Sequence, residues 1–305
     1  MNSALTFHHL SRNFRDVEAV NDLTFDVPQG SLCALLGPNG AGKTTTIHML
    51  MNLLQPTSGK VEVFGVDASR LGPAELSRIG YVSENQKLPR WMTVQSMLDF
   101  CKPLYPAWDG DLCRKLIKKF DMPLNRQIKA LSRGMKLKAA MTAALAYHPD
   151  LLVLDEPFGG LDVSVREELI EGMLELAEQT GWTLFISSHD LAEIENLVDY
   201  VGYIHHGRLL FSQKLEQLQE RFREVEVTLS HVQDLPSGWP RDWCVPQVSG
   251  CVVRFVDTQY RDGESEAQVW RIFPEITNVS VAPMSLRSIF IALTHQQNVL
   301  QEGGN

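Results

Sequence analysis

GPNGAGKT, residues 37–44, stands between the apolar run Leu32-Cys33-Ala34-Leu35-Leu36 and a helix-compatible segment at 45–54. A strand, a tight glycine turn and a helix in succession are what phosphate binding requires. Gly37, Gly40 and Gly42 accept backbone angles closed to other residues, so successive N–H groups can curl around a phosphate chain at the positive end of the helix. Lys43 then adds a point charge to the β- and γ-phosphates, and the Thr44 hydroxyl is placed to ligate Mg2+. The competing reading is a glycine-rich turn with no chemistry; the full motif in its strand–turn–helix context argues against it.

Outward from this loop the chain alternates strand and helix. Upstream, residues 6–10 and 23–27 read as short strands, and Pro28-Gln29-Gly30 turns the chain into the phosphate-loop strand. Phe14 lies between those two strands, where an aromatic ring can stack on a nucleotide base, although an isolated Phe is more often core. Downstream, 55–59 is a turn and 60–64 and 79–82 are strand-like. Residues 86–150 are helix-rich, with apolar positions at helical spacing over 94–105, 112–120 and 135–147. Ser132 is placed to cap the last of these helices, whose small residues Ala139, Ala140, Ala143, Ala144 and Ala146 permit close packing. The run 151–154 is apolar throughout, as in a strand covered on both faces of a parallel sheet, and 182–186 is another. Amphipathic helices are expected at 165–178 and 191–198. The fold class is therefore α/β with a phosphate loop, and 86–150 reads as a helical insertion.

From about residue 213 the organisation changes. A charged helix is expected at 213–224, strands at 225–229, 252–256 and 276–281, and a loop containing Pro and Trp at 235–246. A closing helix at 285–294 carries Leu286, Ile289, Phe290 and Leu293 on one face, a stripe that reads as core. Gly303-Gly304-Asn305 reads as a frayed end.

The 305 residues fit one large domain and one small one, and 44% apolar composition suffices for buried cores. No apolar run approaches the ~18 residues that span a bilayer, and the first residues lack the apolar segment of a signal peptide, so a cytosolic protein is expected. The five cysteines are scattered without paired spacing, which disfavours disulfides and zinc. A net charge of -9 argues against a nucleic-acid-coating protein. The densest basic cluster, Lys115, Lys118 and Lys119, has the spacing of a solvated helix face.

Two acids end the apolar strand at 151–154. In a chain with a phosphate loop, Asp155 can hold the Mg2+ bound by Thr44, and Glu156 can orient and polarise a water for attack on the γ-phosphate. The alternative is a solvated acidic turn. His189 follows the strand at 182–186 and can reach the same phosphate, although a lone His at a strand end is usually structural.

The ordered set GPNGAGKTT (37–45), LSRGM (131–135), LLVLDEP (151–157), GGLD (159–162) and SSHD (187–190) resembles the nucleotide-binding subunits of ABC transporters, over about residues 4–212. The resemblance implies a RecA-like P-loop core with a helical subdomain at about 86–150, and a head-to-tail dimer, of two identical chains or of two different cassettes, enclosing two ATPs. It implies that Gly37, Pro38, Asn39, Gly40, Ala41, Gly42, Lys43, Thr44 and Thr45 form the phosphate-binding set and that Phe14 stacks on adenine. Asp155 becomes the Mg2+ partner, Glu156 the general base and His189 the switch histidine. Ser132 and Gly134 match the loop that caps ATP bound to the opposite subunit, and Asp162 the residue linking the two sites. Residues 213–305, read as a small α+β accessory domain, look like the carboxyl-terminal extension of the ABC-2 exporter branch.

The chain departs from the family pattern in two motifs. LSGGQ appears as LSRGM, with Arg133 and Met135 in place of a glycine and a glutamine. Where a glutamine that senses Mg2+ follows the strand at 81–82, Glu84 stands in ungapped register and Gln86 lies two residues on; either oxygen can ligate the ion. The expected function is an ATPase subunit that drives a separate membrane-spanning permease, of exporter type by its tail, from the cytoplasmic face of the membrane. The permease is expected to dock beside residues 84–93 through Trp91 and Met92, with Trp91 as plain core the alternative. Rival readings are a soluble ABC protein acting on ribosomes or chromosomes, and an ATP sensor without turnover.

Overall fold

The computed structural model describes residues 2–84, 86–232, 235–236 and 238–302. The chain divides into two compact units, Met1–Ser212 and Gln213–Asn305.

In the first unit, β1 (Ser3–Phe14) and β2 (Val17–Pro28) form a long antiparallel pair, with β4 (Ser58–Val63) and β5 (Val66–Asp67) completing the sheet in the order β2-β1-β4-β5. Alternation in β2 buries Leu23, Phe25 and Val27 and exposes Thr24 and Asp26. The second sheet contains β3 (Leu32–Leu36), β6 (Ile79–Ser83), β7 (Leu151–Asp155), β8 (Thr183–Ser188), β9 (Tyr200–His205) and β10 (Arg208–Lys214), ordered β10-β9-β3-β8-β7-β6. The pairs β9–β3, β3–β8, β8–β7 and β7–β6 are parallel. β7 and β8 are buried along their whole length, as continuous apolar strands of a covered parallel sheet should be. Helix α1 (Lys43–Leu50) shares one apolar core with both sheets, which includes Ile47 of the helix, Phe7 and Phe25 of the first sheet, and Leu151, Val153 and Phe185 of the second. At its centre the rings of Phe7 and Phe25 stack at 4.4 Å.

The remaining helices of this unit are α2 (Pro73–Leu76), α3 (Val94–Cys101), α4 (Gly110–Lys119), α5 (Arg133–Leu145) and α6 (Val163–Thr180). Side chains start three of them: Thr93 accepts from Ser96 N, Asp109 from Asp111 N and Leu112 N, and Ser132 from Met135 N at 3.2 Å. The alanines of α5 are matched by Gly80 in β6, where an added Cβ would come 3.1 Å from Ala144 O and 2.8 Å from Leu152 Cδ1.

The second unit comprises α7 (Leu215–Arg221), β11 (Arg223–Leu229), β12 (Trp243–Ser249), β13 (Val252–Asp257), α8 (Glu264–Ile272), β14 (Ile276–Pro283) and α9 (Leu286–Glu302). Its antiparallel sheet has the order β12-β13-β11-β14. Val225, Val227, Leu229, Trp243, Phe255 and Phe273 belong to its core, and the rings of Trp243 and Phe255 stack at 4.2 Å. Residues 303–305 lie outside the described residues.

Three expected elements differ. The helix at 191–198 is only a tight turn, Leu191–Glu193. Buried Leu191, Ile194 and Leu197 recur every third residue, a period that suits this turn as well as a helix. The helix at 213–224 shrinks to α7, because Gln213 and Lys214 belong to β10 and Arg223 and Glu224 pair with both β13 and β14. The loop at 235–246 ends in β12, whose edge position tolerates Pro246. Strands β5, β9 and β10 and helices α2 and α8 are additions to the expected set.

Candidate active site

The parallel strands β3, β8 and β7 end level with one another: Leu36 lies beside Ser188, and Ser187 beside Asp155. The loop from β3 to α1 and the acids after β7 therefore meet at one sheet edge, where α/β sheets bind ligands. Gly42, at φ 107°, caps α1 without a side-chain bond, and a Cβ there would press on the carbonyl oxygen of Ala19. A Cβ on Gly37 would press on Ile204 O, whereas Gly40, at φ 80°, has no atom within 4 Å of its added Cβ. Two glycines are thus fixed by backbone at close quarters, and the third faces open space.

Lys43 is buried, and its ammonium has three acceptors: Gly37 O at 2.7 Å, Pro38 O at 3.0 Å and Glu156 Oε1 at 3.0 Å. Thr44 Oγ1 donates to Asp155 Oδ1 at 3.0 Å, and Ser187 Oγ donates to the same oxygen at 2.8 Å. The Ser187 hydroxyl also accepts from Glu156 N at 3.0 Å. Glu156 adopts a left-handed backbone, φ 49°, a conformation that carries strain in a non-glycine residue. Its second carboxylate oxygen, Oε2, lies 2.8 Å from His189 Nδ1 and accepts from His189 N at 3.3 Å. That hydrogen bond raises the His189 imidazole above its ordinary pKa, against the opposing effect of partial burial.

The structure thus brings Lys43, Thr44, Asp155, Glu156 and His189 together, and adds Ser187. The serine was legible in SSHD, where only the histidine drew attention. The remaining candidates lie on other elements. Phe14 ends β1, is 42% exposed, and has the Arg12 guanidinium 4.6 Å from its ring centroid. Ser132 caps α5. Gly134 meets α6: an added Cβ would stand 2.8 Å from Val165 Cγ1, so helix packing alone demands glycine there. Asp162 occupies the cap position of α6, exposed and with no side-chain capping bond. Glu84 is paired with Arg133. Gln86 is exposed and lines the same small recess as Glu84 and Arg133. Trp91 is 72% exposed, which removes the reading of it as core. No helix among the described residues is long and apolar enough to cross a membrane.

A parallel sheet with a phosphate-type glycine loop, a buried lysine and paired strand-end acids defines a nucleoside-triphosphate-binding protein of the P-loop class. The sequence model of the family described as "ABC transporter" matches residues 20–159. The bacitracin transport ATP-binding protein BcrA of Bacillus licheniformis is 34% identical over 75% of this chain and 76% of its own. The sulfate/thiosulfate import ATP-binding protein CysA of Escherichia coli (strain K12) is 33% identical over 66% of this chain and 57% of its own. A solved ATP-binding subunit of an ABC transporter superposes with a TM-score of 0.65 at 27% identity, covering 72% of this chain and 92% of that one. The chain belongs to the ATP-binding proteins of ABC transporters. It binds and hydrolyses ATP, as the nucleotide-binding subunit that powers such a transporter.

Proposed function

We propose that ATP is hydrolysed at the edge formed by β3, β7 and β8, with Glu156 as the general base. The observation that carries this reading is the double engagement of the Glu156 carboxylate, one oxygen on Lys43 and the other on His189. A polyphosphate competes with Glu156 for the Lys43 ammonium, and the carboxylate so released stands beside the phosphate chain, within reach of a water. His189 then holds the base from behind and presents its ring to the γ-phosphate side.

Thr44 and Asp155 fit Mg2+: two hard oxygens 3.0 Å apart, one from a buried carboxylate. Mg2+ is commonly held by one or two carboxylates and the substrate phosphates, and it would supply charge neutralisation for the leaving phosphate. Ser187 keeps Asp155 oriented for that duty. Residues 37–45 wrap the phosphates and Phe14 offers its exposed ring to the base.

Ser132, Gly134 and Asp162 serve the site of a second subunit in a head-to-tail dimer, formed with an identical chain or with another cassette. The uncapped, exposed Asp162 side chain supports this assignment. The permease docks beside Trp91 and Met92, which places the protein on the cytoplasmic face of the membrane. Exporter coupling is the reading of the tail, and the partial match to the importer subunit CysA, over 57% of its length, is in keeping with it. Hydrolysis belongs to residues 1–212 and residues 213–305 have an accessory role, a reading supported by the two compact units.

Steady-state hydrolysis by the purified protein, with and without Mg2+, tests the reading. Turnover should require Mg2+, and Glu156→Gln should lower kcat by about 100-fold or more while retaining nucleotide binding. Equal low rates for the two proteins would favour the ATP sensor instead.

A further inference from the structure

Arg133 is the first residue of α5, directly after the Ser132 cap, and its guanidinium reaches two loops of the α/β core. Nη2 donates to Glu84 Oε1 at 2.5 Å, just beyond the end of β6. The same guanidinium lies against the loop between β7 and α6. A Cβ on Gly160 would stand 3.0 Å from Nη1, and one on Gly159 would stand 3.7 Å from Nη2 and 3.8 Å from Glu84 Oε1. Glu84 is itself tied to the site, since its N–H donates to Asp155 O at 2.9 Å. A continuous set of contacts therefore runs from Asp155 through Glu84 and Arg133 to the loop that leads into Asp162.

The two side chains remain 46% and 35% exposed. An ion pair so open to water adds little to global stability, so its effect is on position. Arginine suits the place better than lysine would, because a planar guanidinium can direct N–H groups at a carboxylate while lying flat against glycine backbone.

We infer that Arg133 is a positioning residue for hydrolysis, and that Glu84 acts as its acceptor rather than as a magnesium ligand. The pair holds the amino terminus of α5 against Gly159 and Gly160, which sets the spacing between Ser132 and Asp162. The inference rests on the proposed function, in which those two residues face a second subunit. Arg133 and Glu84 are two of the three residues that depart from the family pattern, Met135 being the third, and they meet each other.

The test uses the full chain and the variants Arg133→Ala, Arg133→Lys, Glu84→Gln and the swapped pair Glu84→Arg/Arg133→Glu. Amide hydrogen exchange is followed in the segments 131–136 and 157–165 without nucleotide, and ATP turnover is followed against Mg2+ concentration. Arg133→Ala should speed exchange in both segments and lower kcat by about fivefold, with KM for ATP changed by no more than about twofold. Arg133→Lys should fall between it and the parent, and the swapped pair should recover slow exchange. Glu84→Gln should leave the Mg2+ requirement within about twofold of the parent. Unchanged exchange in Arg133→Ala would overturn the inference. So would a rise of about tenfold in the Mg2+ requirement for Glu84→Gln but not for Arg133→Ala, which would make Glu84 a metal ligand. A parent protein without turnover overturns the proposed function instead, whereas the exchange comparison, made without nucleotide, still tests the pairing.

Discussion

Gly42→Ala probes the phosphate loop where the backbone leaves least room. Gly42 sits at φ 107° and ψ 2°, outside the regions open to alanine. A left-handed backbone costs an L-residue about 1–2 kcal/mol. The added methyl would also press on the carbonyl oxygen of Ala19 and come 3.2 Å from Val20 Cγ2. Both belong to β2, where Val20 is paired with Arg12 of β1, so the obstacle is sheet backbone rather than a side chain that can swing away. Displacing packed structure adds about 1–3 kcal/mol, for a total of about 2–5 kcal/mol. In a unit of about 200 residues that lowers the melting temperature by about 4–20 °C. Gly40→Ala is the control, because its φ is also positive, at 80°, while nothing lies within 4 Å of the new Cβ. Only the backbone term applies there, about 1–2 kcal/mol and about 2–8 °C. Calorimetric melting and titration with a fluorescent ATP analogue read both quantities. Gly42→Ala should also weaken nucleotide binding by about tenfold, the worth of one misdirected hydrogen bond to a charged group. If it melts within about 2 °C of Gly40→Ala and binds nucleotide equally well, the steric argument is wrong.

Three further outcomes follow from the same geometry. The raised His189 pKa stabilises the folded protein below the unfolded value of about 6.5, and that contribution is lost as pH rises through the folded value. The melting difference between the parent and His189→Ala should accordingly be larger near pH ~6 than near pH ~8.5, and small throughout because the side chain is 41% exposed. Ser187→Ala removes a fully buried hydroxyl that serves both Asp155 and Glu156 N; a loss of about 1–3 kcal/mol should appear as a lower urea midpoint at constant m. Trp91→Ala should leave stability within about 0.5 kcal/mol and abolish recovery of the protein with membranes, which a sedimentation assay measures; full recovery would remove the docking assignment.

How far the sequence could be read depended on whether a position is governed by local chemistry or by distant contacts. That the loop at 37–44 and the acids at 155 and 156 belong together was legible, because phosphate and metal chemistry would dictate residue type at fixed spacing, and the structure brings them to one sheet edge. Ser132 was legible as a cap because the hydrogen bond closes within its own turn. The hairpin of β9 and β10 went unread although His206-Gly207, both at positive φ, is a turn signal of the kind that joins two strands. The limits of α7 were illegible for another reason: Arg223 and Glu224 are helix-compatible in isolation, and two neighbouring strands override that preference. The Glu84–Arg133 pair joins positions 49 apart in sequence, and each looked only like a departure. Gly134 has a packing cause that its motif concealed, since Val165 sits against it.

The contact between Lys43 and Glu156 makes the site an interlock. All three ammonium protons are already spoken for, so an incoming anion must displace a carboxylate before it gains the lysine at full strength. Singly charged ions compete poorly on those terms, and a polyphosphate competes well. Linkage makes the effect mutual: whatever strengthens the internal pair weakens nucleotide affinity by the same factor. Glu156→Gln, which turns the rival acceptor neutral, should therefore bind ATP more tightly than the parent even as it loses turnover. On the proposed reading of Glu156 as the base, the carboxylate becomes available only once the phosphate site is filled, and an idle subunit would keep that base shut away.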